Sequence, residues 1–301
     1  MTLHLLMAMA AGLAFSLIAV AYRACSARGI APCFPAMGMG LAGMIVFGFR
    51  SFAGPDAPGY DAPAAAWIWG AINGAAQGFS VYLYRLGLQR GPLGPVWCAS
   101  NLTFVTPALF AVAAADERLS STQIAGMAAA VLCVVAAAMG HRSDAGPSGQ
   151  VSAWRAKFVY AGILALLVFL CGLVGVGLKH LAMLTHHGVP VNPRWNDCFM
   201  LGLYTALLAW VAASSAACGR PTGHTGALAG YSLLAAAGSV AGMALTARVS
   251  DWPGGIGFAV LAVTAVLAGS LIASFGFGEK RGPFWYLTLA LATAALILFQ
   301  T

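Results

Sequence analysis

The sequence predicts an all-α integral membrane protein whose ten transmembrane helices form two inverted repeats of five helices each. Three observations lead to this prediction: the composition is 60% apolar and 8% charged, ten apolar windows can each cross a bilayer, and landmarks of the first half recur in the second. Soluble domains carry roughly 25% charged residues. Most of this chain is therefore expected to face lipid.

The repeat is inferred from residues that keep a nearly constant separation along the chain. Gly12 and Gly172 lie 160 positions apart, and Glu117 and Glu279 lie 162 apart. Because each copy has an odd number of spans, the second must enter the bilayer inverted, as in secondary transporters that bind solute between the copies. The predicted divisions are residues 1–142 for the first repeat, 143–155 for a polar connector and 156–301 for the second repeat.

The ten windows follow from the length that a helix needs to cross the hydrocarbon, about 20 apolar residues. They are 3–22, 32–50, 63–86, 92–114, 121–140, 156–181, 196–217, 226–248, 254–276 and 283–300. The short connections between them hold Gly and Pro and leave no room for a soluble domain. Any function is therefore expected within the helix bundle.

Charge and motifs narrow the function classes. The net charge of +7 comes from residues in the connections, which favours contact with lipid headgroups over nucleic-acid binding. The sequence has no metalloprotease, nucleophile-elbow or Walker motif and no CxxC pair, so we predict no enzyme activity, no cofactor and no metal site. Ten Lys and Arg residues against five in alternate connections place both termini outside by the positive-inside rule.

The third window carries a stripe of polar side chains. Trp69, Asn73 and Gln77 recur every four residues and therefore share one helix face. Three glycines lie beside them at the spacing that lets helices approach closely, namely Gly70, Gly74 and Gly78. An unpaired amide is costly in hydrocarbon, so these side chains are expected either to line a solute site or to bond neighbouring helices.

The fourth window repeats the pattern, with Trp97 and Asn101 four residues apart. Pro107 deprives the carbonyl of Thr103 of its helical partner. A broken helix beside an amide and an indole is a candidate solute site, because discontinuous helices offer backbone groups at the midplane.

These residues predict one uncharged central cavity, bounded by the third, fourth, eighth and ninth windows. Tyr204 and Tyr231 are expected to close it from the second half. Amides pair with hydroxyl, amino and carboxyl groups while aromatic faces cover apolar parts. Such a lining suits a neutral or zwitterionic polar solute.

Two carboxylates are candidates for coupling transport to a proton. Asp197 opens the seventh window, where a coupling role competes with capping or a pair with Arg194. Glu117 precedes a run of hydroxyl residues, where an interfacial cap or an ion pair competes with coupling. Lys179, near the end of the sixth window, is expected to reach the headgroups.

A resemblance adds to this interpretation. The stretch RGPLGPVW from Arg90 to Trp97 leads into a helix with a central Pro107, then the pair Glu117 and Arg118, then a helix beginning Ile124-Ala-Gly. This resembles the repeat signature of the drug/metabolite transporter superfamily, in its ten-helix EamA-like branch. The resemblance implies transport of small organic solutes such as amino acids, sugars, nucleosides and cationic drugs. It also implies cytoplasmic termini, contrary to the charge count.

The predicted function is a secondary transporter that moves a small polar metabolite by alternating access. The alternatives are a flippase for lipids or lipid-linked sugars and, in a different class, an intramembrane enzyme or assembly factor. The predicted partners are the solute, the lipid bilayer and a proton as coupling ion, with no nucleic acid. The chain is expected in the bacterial inner membrane as a monomer or homodimer.

Overall fold

The structure is a computed structural model that describes residues 2–53, 59, 61–90, 96, 99–114, 117–140, 153–184, 194–215, 225–250, 252, 256–276 and 282–299. Within these ranges it contains ten α-helices and no strand, which confirms the all-α prediction. The helices are α1 (Thr2–Ala27), α2 (Cys33–Phe52), α3 (Ala64–Arg90), α4 (Val105–Ala114), α5 (Ser121–Gly140), α6 (Ala153–Leu184), α7 (Trp195–Ser215), α8 (Thr225–Ala247), α9 (Ile256–Gly276) and α10 (Pro283–Leu298).

Six of these helices, namely α1, α2 and α6 to α9, are long and apolar enough to cross a membrane. Three shorter apolar helices cover 99–114, 121–136 and 283–298. Helix α3 has 27 residues and includes the polar stripe. Large apolar side chains point outward from several helices: Leu3 is 62% exposed, Phe49 74% and Leu233 70%. A surface of this kind suits lipid rather than water.

Local sequence explains where several helices begin and end. Helix α1 stops at Gly29, whose φ of 67° is the left-handed conformation that glycine adopts without strain. The N–H of Ile30 then donates to the carbonyl of Cys25 at 2.9 Å. At the start of α5, Ser120 and Gln123 form a reciprocal capping box, with bonds of 3.0 and 3.2 Å.

The main helix contacts join one half of the chain to the other. Helix α3 packs on α7 and α6, α2 on α7 and α8, α1 on α8 and α9, and α5 on α10. Glycine makes these approaches possible. A Cβ added to Gly12 would lie 2.5 Å from the carbonyl oxygen of Leu261 in α9, and one added to Gly172 would lie 2.8 Å from that of Thr103.

The two ends of the bundle can be distinguished by their contacts. At the end where α1 begins, the His4 ring lies 6.1 Å from that of Trp252, and Phe299 lies beside Gly126 at the start of α5. We call this the terminal end. At the opposite end, Arg28, just beyond α1, contacts Tyr231 near the start of α8.

Candidate functional site

A cavity of about 230 Å³ lies between the two halves of the chain. Every helix except α5 and α10 contributes to its wall. Its polar groups are Gln77, Ser80, Ser100, Asn101, Thr103, Ser239 and Thr246. Its aromatic groups are Phe15, Tyr22, Tyr84, Tyr204 and Phe258. Among the described residues that form this wall, none carries a charged side chain.

The fourth span is broken beside the cavity. Asn101 ends a helical stretch, Leu102–Phe104 form one 3₁₀ turn, and α4 then starts with Pro107 in its first turn. Because Pro107 has no N–H, the carbonyl of Thr103 lacks its usual helical donor. Asn101 and Thr103 both line the cavity, so the break predicted near Pro107 borders it.

Gln77 forms part of the wall between α3 and α6. Its Nε2 donates to the carbonyl of Cys171 at 3.5 Å, at the long limit for a hydrogen bond. The hydroxyl of Ser80 donates to the Gln77 carbonyl at 2.7 Å. Because this hydrogen bond is long, the Gln77 amide can replace it with a hydrogen bond to a bound molecule at little cost in free energy.

Only part of the polar stripe of α3 lies in the cavity wall. Asn73 is 0% exposed, donates from Nδ2 to the carbonyl of Trp69 at 2.7 Å, and packs against Gly177 and Phe199. The Trp69 ring lies 5.6 Å from that of His180. Neither Trp69 nor Asn73 is part of the cavity wall, contrary to the sequence prediction. The physical reason is that α6 and α7 close on α3 one turn before the cavity begins.

The two tyrosines that were predicted to close the cavity lie in different parts of the bundle. Tyr204 lines the cavity, shares a 2.8 Å hydrogen bond with Ser239 and stacks on Phe47 with ring centroids 5.6 Å apart. Tyr231 lies at the opposite end, where the Arg28 guanidinium donates to its hydroxyl and sits 5.2 Å from its ring centre. Tyr231 is therefore not part of the wall of this cavity, which the sequence analysis expected it to close. Trp97 lies outside the described residues.

The two carboxylates predicted for coupling form ion pairs outside the cavity. Asp197 is 6% exposed and binds Arg50 through two contacts of 3.1 and 3.2 Å. Sequence reasoning considered Arg194 as its partner. It missed Arg50 because that residue lies 147 positions away along the chain.

Glu117 pairs with Lys179 at 2.6 Å, and Lys179 also donates to the carbonyl of Trp252 at 3.2 Å. Lys179 is only 2% exposed, so the expectation that it reaches the headgroups is wrong. Helix α6 continues past it to Leu184, which keeps its side chain inside the bundle. The cap of α5 comes from Ser120 and Gln123 rather than from Glu117.

Comparison with known proteins identifies the first half of the chain. Residues 2–139 match the model of the EamA-like transporter family. The matched segment is 138 of the 301 residues of the chain. The match confirms the resemblance to the drug/metabolite transporter superfamily. The match and the apolar helices together indicate a multi-pass membrane protein.

A likeness in fold to a solved structure extends over nearly the whole chain. A solved structure described only as "Crystal structure of protein" superposes with a TM-score of 0.72 at 15% identity, covering 99% of this chain and 96% of that chain. At this identity the likeness shows the fold alone. No curated protein matches the sequence. The cavity lies between the EamA-like half and residues 167–262 of the second half.

Sequence reasoning missed several residues of the wall. Phe15, Tyr22 and Phe258 lie in apolar helices, and their spacing in the sequence does not distinguish them from the other core residues of those helices. Two glycines that the sequence singled out do mark helix crossings beside the cavity. Gly12 of α1 meets Leu261 of α9, and Gly172 of α6 meets Thr103 and Thr106.

Proposed function

We propose that this chain is a secondary transporter that carries a small polar organic solute by alternating access. The observation that supports this most directly is the uncharged cavity of about 230 Å³ between the two halves. Its wall combines a broken helix, two amides, several hydroxyls and five aromatic rings. Transporter sites near the bilayer midplane are built from such parts.

An arrangement of two inverted repeats, 1–142 and 156–301 joined by 143–155, is part of this proposal. The helix contacts support it because they interchange when each helix is replaced by its counterpart five helices along. The contact of α1 with α8 becomes that of α6 with α3, and α1 with α9 becomes α6 with α4. The contact of α3 with α7 becomes that of α8 with α2. Alternating access then exchanges the roles of the two halves.

The size and chemistry of the cavity favour a small, uncharged or zwitterionic solute. Its volume falls below the roughly 300–1,000 Å³ of pockets for drug-sized ligands. Its wall includes the amide residues Gln77 and Asn101, the hydroxyl residue Thr103 and the aromatic residue Tyr204. A permanent cation would depend on cation–π contact, worth up to about 2 kcal/mol when desolvated.

Binding is tested first by thermal unfolding of the purified protein with a panel of amino acids, sugars and nucleosides. A solute at 100 times its dissociation constant should stabilise the folded protein by about 2.7 kcal/mol. Hits are then followed as radiolabelled uptake into proteoliposomes, which should saturate and compete with unlabelled solute.

The alternative functions give different results in the same vesicles. A flippase would move fluorescent lipid across the bilayer without taking up any solute of the panel. If no solute stabilises the protein and none is taken up, the transporter proposal is rejected. The small cavity is a reason to expect solute uptake rather than lipid movement.

A further inference from the structure

Two ion pairs lie at the terminal end of the bundle, and each joins the two halves of the chain. Arg50, near the end of α2, pairs with Asp197 in the first turn of α7. Glu117, just beyond α4, pairs with Lys179 of α6. The pairs sit where α2, α4, α6 and α8 end and where α7 and α9 begin.

The Arg50 pair is connected to the cavity by a stack of side chains. Tyr204 lines the cavity, and Phe47 covers it with ring planes only 8° apart. The guanidinium of Arg50 lies 5.7 Å from the centre of the Phe47 ring. Tyr204 and Phe47 are each 1% exposed. This stack fills the space between the solute cavity and the Arg50–Asp197 pair.

The second pair closes the same side of the cavity from other helices. Lys179 lies four residues beyond Gly175, which is in the cavity wall, and so sits one helical turn nearer the terminal end. Its ammonium binds both Glu117 and the carbonyl of Trp252, between α8 and α9. One buried charge thus holds together three helix ends.

A contact between the halves at the opposite end involves no carboxylate. There the guanidinium of Arg28 donates an exposed hydrogen bond to the phenol of Tyr231. The repeat offset of 160 relates Lys179 to the uncharged Ala19, whereas the offset of 162 relates Glu117 to another carboxylate, Glu279.

We propose that the Arg50–Asp197 and Glu117–Lys179 pairs form the closed gate of the cavity at the terminal end and hold the protein in that conformation at rest. This inference rests on the proposed alternating-access function. In a pair of inverted repeats, related conformations would be nearly equal in free energy if the sequences were the same. Two ion pairs that join the halves at the terminal end favour the conformation closed at that end.

Cys171, in the cavity wall, provides the test. The other six cysteines are replaced by alanine, and a membrane-impermeant maleimide is applied from either side of sealed vesicles. A protease-sensitive tag on the C-terminus identifies the terminal side. The variants are Asp197→Asn and Glu117→Gln, with Arg28→Gln as the matched control at the opposite end.

We expect both gate variants to raise the rate of Cys171 alkylation from the terminal side by about fivefold or more, the lower limit of typical coupling between sites. Alkylation from the opposite side should fall, and the Arg28→Gln control should show no increase from the terminal side. The exchanged pair Glu117→Lys with Lys179→Glu should return the rate toward that of the parent.

Unchanged alkylation in both gate variants would overturn the proposal. So would an equal rise from both sides, or a rise in the control, since either means general loosening. Arg50 has 46% of its side chain exposed, so in Asp197→Asn the unpaired guanidinium remains near solvent. If Glu117→Gln does not fold, the alkylation rates of Asp197→Asn alone test the proposal. Alkylation needs no solute, so failure to find transport does not affect this result.

Discussion

Gln77 and Asn73 lie one turn apart on α3, yet the structure gives them different surroundings. Gln77 is in the cavity wall, whereas Asn73 is 0% exposed between α6 and α7. We predict that Gln77→Leu weakens solute transport and that Asn73→Ala does not. Alanine is chosen at Asn73 because Gly177 and Phe199 leave no space for a larger apolar side chain.

The magnitude follows from the hydrogen bonds that each substitution removes. A solute group that loses its amide partner inside the cavity stays unsatisfied at a cost of about 1–3 kcal/mol, or roughly a 5- to 150-fold loss of affinity. At Asn73, the alanine variant loses the 2.7 Å bond to the Trp69 carbonyl. It also removes Oδ1, a buried atom without a hydrogen-bond partner among the described residues, so the two effects offset each other.

The assay compares initial uptake rates over a range of solute concentrations, with folded protein measured by size-exclusion chromatography and thermal unfolding. Gln77→Leu should raise the half-saturating concentration about 5-fold or more at unchanged folded yield. Asn73→Ala should stay within about 2-fold of the parent, because it leaves the cavity wall unchanged. Equal losses in both variants would refute the assignment of the wall, and no loss in either would remove Gln77 from the site.

Three further predictions concern packing and orientation. Gly12→Ala should destabilise the protein by about 1–3 kcal/mol because its Cβ meets the Leu261 carbonyl. Gly230→Ala, whose Cβ has nothing within 4 Å, should be neutral or stabilise the protein by up to about 1 kcal/mol. Equal melting temperatures for these two variants would contradict the packing described for Gly12. Tyr204→Phe should cost about 1–3 kcal/mol by leaving the Ser239 hydroxyl unpaired, and adding Ser239→Ala should restore most of it in the same unfolding assay. A fluorescent protein that matures only in the cytoplasm, fused at the C-terminus, should stay dark if the charge count is right and fluoresce if the superfamily expectation is right.

Helix positions could be predicted from the sequence because they depend on local properties. The third window, 63–86, and the seventh, 196–217, fall within a few residues of α3 and α7. The break beside Pro107 was predictable for the same reason, since a missing N–H acts on the carbonyl one turn earlier.

The site was less predictable, because the depth at which two helices meet is not a local property. The spacing of Asn73 and Gln77 placed both residues on one face of α3. It could not show that α6 and α7 cover Asn73 and leave Gln77 in the cavity wall. Lys179 lies close to a helix end, and nothing in the sequence indicated that Glu117 and the Trp252 carbonyl would meet it inside the bundle. Partners far apart in the chain become visible only in the folded structure.

The packing of α3 against α7 also bears on how the protein is made. Gly70 and Gly74 meet the backbone of Phe199 and Leu203, residues that are synthesised more than 120 positions later. At about 5–20 residues per second, roughly 6–25 s pass between the emergence of the two surfaces from the ribosome. Helix α6, the other second-half helix that packs on α3, is made part-way through that interval. The glycine groove of α3 therefore stays without the surface that covers it until α7 has been made.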